Sequence, residues 1–350
     1  MSRFLDKRLA SLKAYVPGEQ PQDKKYIKLN TNESPFAPSP AINAYLAQTV
    51  ERLNLYPDPD SNLLRSELAA LCGVEKGNVF VGNGSDEVLA FAFMAFCGNR
   101  AARFADMTYG FYKVYADLFG IKKHIIPLEE DYTLDVNKYV GTDDVVFIAN
   151  PNAPTGIQLD NSEIEKILAS TDAPVIIDEA YVDFGKQSCI ELINKYENLL
   201  VVRTFSKSRN LAGGRIGWAV GSRALINDLN TIKYSFNPYN INKMSECAAI
   251  CAVRDKEYFK TCVEMVKLAR EYTVRALREL GFRVLESSAN FIFAAPPSGN
   301  GEELYLMLKK EGVLVRYFDS ERTKDFIRVT VGTLEQMETF IQKVKMILNK

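Results

Sequence analysis

Seven short apolar runs, separated by helix-like stretches along residues 60–250, constrain this chain more than any other feature. They fall at 78–81, 101–105, 123–127, 144–149, 174–177, 199–202 and 215–220. Each is short and rich in β-branched residues, the pattern of strands buried on both faces. Between two of them, residues 161–170 place Ile164, Ile167 and Leu168 at helical spacing. Such strand–helix–strand alternation argues an α/β fold with a mostly parallel central sheet and helices on both faces.

The flanks read differently. The first 40 residues are rich in Pro, Asn, Ser and Gln, and read as an extended arm with turns. From about residue 245 the alternation stops. Residues 255–280 form an amphipathic helix with Phe259, Cys262, Val263, Val266, Ala269 and Leu277 on one side, and Gly281 caps it. Short strand-like runs follow at 282–285, 291–294 and 327–331, with helical stretches at 302–310 and 334–348. The expected organisation is an N-terminal arm (1–40), a large domain (41–245) and a smaller α+β C-terminal domain (246–350).

Composition narrows the function classes. Forty-three basic and 44 acidic residues leave a net charge of -1, so there is no electrostatic reason to expect nucleic acid or an anionic membrane surface. No apolar run approaches the roughly 18 residues of a membrane span. The opening Met1-Ser2-Arg3-Phe4-Leu5-Asp6 does not read as a signal peptide, so the cytoplasm is the expected compartment. The six cysteines form no CxxC pair and read as small buried thiols. His124 is the only histidine, so no metal site is expected and acid–base chemistry falls to another residue.

In open α/β sheets, ligands bind beyond the carboxyl ends of the strands. After 78–81 comes Gly82-Asn83-Gly84-Ser85-Asp86-Glu87 at the start of a helical stretch, either a phosphate cup or a plain capped β–α turn. After 144–149 comes Asn150-Pro151-Asn152-Ala153-Pro154-Thr155-Gly156, a stiff loop able to present an amide, or a turn alone. After 174–177 comes Asp178-Glu179-Ala180-Tyr181. A carboxylate there suits a metal ligand, an N-cap or the counter-ion of a protonated heterocycle. After 199–202, Lys207 stands between Ser206 and Ser208, with Arg215 eight positions on. A lysine desolvated at such a strand end can act as a nucleophile. Together the four segments offer an anion cup, an amine for a carbonyl, a carboxylate for a cationic ring nitrogen and polar groups for a ring hydroxyl. Pyridoxal 5′-phosphate (PLP) carries the matching groups, and a lysine Schiff base with a carboxylate at the pyridine nitrogen is how PLP is held.

With these segments in view, the sequence resembles the fold-type I PLP-dependent aminotransferases over essentially its whole length. The resemblance rests on Tyr15-Val16-Pro17-Gly18-Glu19, Leu29-Asn30-Thr31-Asn32-Glu33-Ser34-Pro35, Tyr56-Pro57-Asp58, residues 82–87, 150–156, 178–181 and 204–215, Val315-Arg316-Tyr317-Phe318, and Ile327-Arg328-Val329-Thr330-Val331-Gly332. The opening segments and Val315-Arg316-Tyr317-Phe318 point to the branch that acts on histidinol phosphate.

The resemblance implies a role for each position. Lys207 carries PLP and then moves the proton between the substrate α-carbon and the cofactor. Asp178 pairs with the pyridine nitrogen, Tyr181 bonds the phenolic oxygen, and Tyr109 stacks on the ring. Gly84, Ser85 and Asp86, with Thr204, Ser206 and Arg215, hold the phosphate. Tyr56 reaches that phosphate from a partner subunit, which implies a homodimer. Arg328 grips the α-carboxylate of glutamate or 2-oxoglutarate. Arg316 and Tyr15 meet the phosphate of histidinol phosphate, and Asn32 lines the same pocket. One departure stands out: the family has Asn before Pro-Thr-Gly, whereas this chain has Ala153 there and Asn152 beside it. Asn152 is therefore expected to supply the amide, or Tyr181 to act alone. An aromatic or broad-range aminotransferase, a phosphothreonine-type decarboxylase and a non-catalytic PLP module are the competing readings.

Overall fold

The computed structural model describes residues 2–349. The arm contributes β1 (Ile27–Lys28), and α1 (Ile42–Val50) and α2 (Asn62–Cys72) follow. Next come β2 (Val79–Gly82), α3 (Gly84–Phe96), β3 (Ala102–Ala105), α4 (Phe111–Phe119), β4 (Lys123–Ile126) and β5 (Val145–Ala149). They are followed by α5 (Asn161–Leu168), β6 (Val175–Asp178), β7 (Leu199–Thr204) and β8 (Gly217–Gly221). All seven apolar runs thus become strands, and β2 to β8 form one sheet in the order β2-β8-β7-β6-β5-β3-β4. β8 is antiparallel to both neighbours, and the remaining pairs are parallel.

The apolar character of these strands has a direct cause. Strands β2, β5, β6 and β8 are buried at every residue, with separate apolar clusters on the two faces. On one face Ile177, Val201 and Val220 meet Leu64 and Ile164; on the other Ile176, Leu200 and Ala219 meet Leu89 and Phe93. Each fully buried Val, Leu or Ile contributes roughly 1.5–3 kcal/mol. The parallel order brings the carboxyl ends of β5, β6 and β7 side by side, with Ala149 opposite Asp178 and Asp178 opposite Val202.

Helices α6 (Arg223–Phe236) and α7 (Lys243–Arg254) lead to the long α8 (Lys256–Glu279). Asp255 caps α8 by accepting from the Tyr258 N–H, and Gly281 beyond its end takes φ +81°. A boundary at 245/246 falls inside α7, whose Ala248, Ala249 and Cys251 lie in the core of the large sheet. This helix packs on α1 and α2.

The C-terminal part holds β9 (Arg283–Val284), β10 (Phe291–Ala295), α9 (Gly301–Lys310), β11 (Val313–Leu314), β12 (Arg316–Tyr317), β13 (Ile327–Thr330) and α10 (Leu334–Leu348). Its antiparallel sheet has the order β12-β13-β10-β9. Its core joins Val263 and Val266 of α8 to Ile292, Val329, Phe340 and Val344. The arm docks here: β1 pairs in parallel with β11, and Leu29 is buried in the same core. His124 lies at the far edge strand, its Nδ1 2.6 Å from Asp144 Oδ2. Among the described residues no helix is long and apolar enough to cross a membrane.

Candidate active site

Beyond the carboxyl ends of β5, β6 and β7 lies a cavity of about 330 Å³. Lys207, Asp178, Tyr181, Tyr109, Ser85, Asp86, Thr204, Ser206 and Arg215 all line it. Four segments far apart in sequence therefore converge on one space, as their strand-end positions require.

The cup is built by close backbone approach. A Cβ on Gly217, at the start of β8, would stand 2.2 Å from the Ser85 nitrogen, so only glycine lets β8 carry the first turn of α3. Gly84 has φ +79°, and a Cβ on it would fall 2.6 Å from an Arg215 nitrogen. The free N–H groups of α3 thus open on the cavity beside Arg215, an arrangement that attracts anions. The Asp86 carboxylate bridges the wall. It accepts from Tyr109 Oη at 2.5 Å and from Arg215 Nη2 at 2.8 Å.

Asp178 ends β6 and is buried. Burial pushes its carboxyl up to about 6, although donation from Tyr112 Oη at 3.1 Å and from the Ala180 N–H at 3.1 Å opposes that shift. A buried carboxylate with an open side toward the cavity is suited to a cationic partner. Lys207 Nζ lies 3.4 Å from the Thr31 carbonyl oxygen and 5.7 Å from the Tyr181 ring centre. Among the described residues it forms no ion pair, so its amine is available to the cavity. The donor set therefore fits PLP: an anion cup, an amine, a counter-ion for a ring cation and a phenol.

A larger cavity of about 980 Å³ adjoins the first, and Lys207 and Tyr181 line both. Tyr15, Asn32, Arg316 and Arg328 all line the larger one. Arg316 and Arg328 are directly opposed across the β12–β13 ladder. Like charges so placed repel, which an anion between them would relieve. Arg328 is half-buried, and desolvation pulls its guanidinium below the usual value. Its Nη2 donates to the Asn30 carbonyl at 3.1 Å, while its Nε has no partner. An unpaired buried donor costs about 1–3 kcal/mol. Arg316 donates to the carbonyls of Val16 and Pro17 in the arm, at 3.1 and 3.3 Å.

Two expected residues stand elsewhere. Asn152 does not face the first cavity. Its amide donates to the Met107 carbonyl at 2.9 Å and Thr155 Oγ1 at 3.1 Å, and accepts from Thr108 at 2.8 Å, so the loop uses it internally and turns Ala153 inward. The amide beside Tyr181 is that of Asn32, whose Nδ2 donates to Tyr181 Oη at 3.0 Å. Tyr56 is 78% exposed and stacks on Tyr239 at 4.5 Å, away from both cavities. Three groups escape a sequence reading. Thr31 and Glu33 reach the first cavity from the arm, and Tyr112 supports Asp178. Tyr112 stands in the first turn of α4, and nothing in the sequence around it marks its hydroxyl as a partner of Asp178.

The sequence profile described as aminotransferase class I and II matches residues 24–344. The chain is 50% identical over 353 residues to a histidinol-phosphate aminotransferase of Brachyspira hyodysenteriae, covering 99% of each chain. It is likewise 50% identical over 351 residues to one of Marinomonas sp., again covering 99% of each. The fold also superposes on the crystal structure of histidinol-phosphate aminotransferase from Sinorhizobium meliloti in complex with pyridoxal-5′-phosphate. There the TM-score is 0.85 at 21% identity, covering 98% of this chain and 96% of that one.

Proposed function

This chain belongs to the class I and II aminotransferases, and from that footing we propose that it transfers the amino group of L-histidinol phosphate to 2-oxoglutarate. The products are imidazole acetol phosphate and L-glutamate, in histidine biosynthesis, with PLP as cofactor. When bound, PLP supplies an electrophilic aldehyde and a protonated pyridine ring that takes up an electron pair. Every other part belongs to the chain.

Lys207 offers the amine that holds the cofactor and, once released, a base beside the substrate α-carbon. Asp178 favours the protonated pyridine nitrogen, since a nearby anion raises the pKa of a cationic acid. Tyr181, with Asn32 behind it, orients the ring hydroxyl. Tyr109 covers one ring face, and the backbone N–H groups of Gly84, Ser85 and Asp86, with Thr204, Ser206 and Arg215, hold the phosphate. Arg328 takes a carboxylate in the forked geometry arginine favours. Arg316 and Tyr15 receive the phosphate of histidinol phosphate, and the arm screens the pocket from water. The two halves of the reaction alternate in one site, in ping-pong order. Tyr56 acts from the partner subunit of a homodimer, in the cytoplasm.

The observation that supports the substrate assignment is the opposed pair Arg316 and Arg328 at the cavity that Lys207 lines, one cation for the α-carboxylate of the glutamate and 2-oxoglutarate pair and a second for the phosphate of histidinol phosphate. Steady-state rates with histidinol phosphate, phenylalanine and phosphothreonine as donors to 2-oxoglutarate test it. Histidinol phosphate is expected to have the highest kcat/KM. A preference for phenylalanine, or carbon dioxide release from phosphothreonine, would overturn it.

A further inference from the structure

Next to three of the groups that face the first cavity, the chain places a charge or a hydroxyl that does not line it. Asp178 lines the cavity and Glu179 does not; Thr204 lines it and Arg203 does not; Lys207 lines it and Ser208 does not. Extended backbone sends successive side chains to opposite sides, so the pairing at the strand ends follows from the geometry.

The residues on the far side meet one another. Arg203 lies between two carboxylates: its Nε is 3.9 Å from Glu179 Oε2, and its Nη2 donates to Asp183 Oδ1. Asp183 Oδ2 accepts from Ser208 Oγ. Glu179 is fully enclosed and also accepts from Ser188 Oγ at 2.6 Å and the Cys189 N–H at 2.5 Å. A third cavity, of about 420 Å³ and walled partly by Trp218 and Phe259, opens on Asp183 and Arg203. None of these groups touches the space where the chemistry takes place.

Ionised groups buried together often stabilise a fold no better than apolar side chains of the same size, so stability alone is a weak reason for them. What the cluster does connect is specific. Glu179 follows Asp178, Asp183 lies in the turn after Tyr181, Arg203 precedes Thr204 at the end of β7, and Ser208 follows Lys207. The segment after β7 is anchored at Phe205, whose N–H bonds the Ile216 carbonyl at 3.0 Å, and at Arg209, whose Nη1 donates to the Ala252 carbonyl at 2.8 Å; Lys207 and Ser208 lie between these anchors. Leu211 N–H bonds the Phe205 carbonyl at 3.0 Å, Asn210 N–H reaches the Lys207 carbonyl only at 3.4 Å, and Asn210 takes φ +58°. We infer that Asp183 is a positioning residue: held by Arg203 against Glu179, it fixes the Ser208 hydroxyl and so sets where the Lys207 amine stands relative to Asp178. The inference rests on the proposed roles of Lys207 and Asp178.

The test uses holoenzyme carrying Ser208→Ala, which removes one hydroxyl and leaves the charges in place. A shift of about 1 Å at a reacting group can cost roughly a hundredfold in rate. A partial loosening is therefore expected to lower kcat about tenfold, at an unchanged KM for histidinol phosphate. The visible circular dichroism of the bound cofactor is expected to weaken, and Ser208→Thr, which keeps the hydroxyl, to restore both. Asp183→Asn is expected to act in the same direction and more strongly; if it does not fold, Ser208→Ala still decides. Wild-type kcat and dichroism in Ser208→Ala, with only a lower melting temperature, would make the cluster purely structural and overturn the inference. If wild-type holoenzyme itself shows no cofactor band, the assignment of Lys207 has failed and the inference falls with it.

Discussion

Arg316 and Arg328 face each other across adjacent antiparallel strands, two guanidiniums in register at the wall of the larger cavity. The two are not equivalent. The Nε of Arg328 is buried without a hydrogen-bond partner, whereas Arg316 holds the arm through both its Nη atoms. Losing a hydrogen-bonded charge partner costs about 1.5–3 kcal/mol. Arg316→Gln is therefore expected to raise KM for histidinol phosphate by roughly ten- to a hundredfold and to change phenylalanine far less. Arg328→Gln is expected to weaken glutamate and 2-oxoglutarate, which carry an α-carboxylate, far more than histidinol phosphate, which carries none. Steady-state kinetics with each substrate separates the two patterns, and equal losses for all substrates in Arg316→Gln would contradict the division of labour.

The buried Asp178 carboxyl makes cofactor-free protein sensitive to pH. Burial raises it from 3.8 to about 6 in the fold. Between those values the folded chain holds a proton that the unfolded chain has lost, so stability falls as pH rises through this window. The cost at neutral pH is on the order of 2 to 3 kcal/mol. Asp178→Asn is expected to melt higher than wild type at pH 7.5 or so without PLP, with the gap closing toward pH 4 or so. Urea titrations of both proteins across that range check this. A gap independent of pH would mean that Asp178 is not the titrating group.

Tyr112 supplies the one side-chain donor to Asp178 among the described residues. In Tyr112→Phe the carboxylate keeps only the Ala180 N–H, and its charged form becomes costlier. Loss of such a bond to a charged group is worth about 1.5 kcal/mol or more, so affinity for PLP is expected to fall about tenfold. Absorbance titration of cofactor-free protein with PLP measures it. An unchanged dissociation constant would show that Tyr112 only fills space.

Tyr56 is exposed in the single chain and stacked on Tyr239, near further exposed side chains at Leu53, Leu55 and Leu63. If it completes the partner's site, two inactive proteins can rescue each other. Mixing Lys207→Ala with Tyr56→Ala, followed by subunit exchange, is expected to restore up to about a quarter of the wild-type sites. Each mixed dimer then has one site with both residues intact. No recovery at limiting PLP would place Tyr56 in its own subunit's site or outside catalysis.

Much of this was legible in the sequence because the physics is local. Runs such as 144–149 and 174–177 are apolar at consecutive positions because both faces of the sheet are covered, and each became a strand. Asp178 and Lys207 stood out as charges placed just after or near buried strands, where a charge needs a reason. What stayed hidden depends on distant packing. The resemblance places Asn32 in the substrate pocket, but no local pattern shows that its neighbours Thr31 and Glu33 reach the first cavity. Tyr112 reads as an ordinary core aromatic until its hydroxyl is placed. Asn152 has the right chemistry for the cavity, but the turn of its loop sends the amide to Thr108 and Met107. Likewise α7 carries small residues whose docking on α1 and α2 only the fold reveals.

The central claim is that one ε-amino group carries the cofactor. Borohydride reduction of the holoenzyme, then proteolysis and mass mapping, tests it directly. The account predicts loss of colour and a phosphopyridoxyl group on the peptide containing Lys207 and on no other. Label on a different lysine, or a reduced protein with Lys207 unmodified, would contradict it.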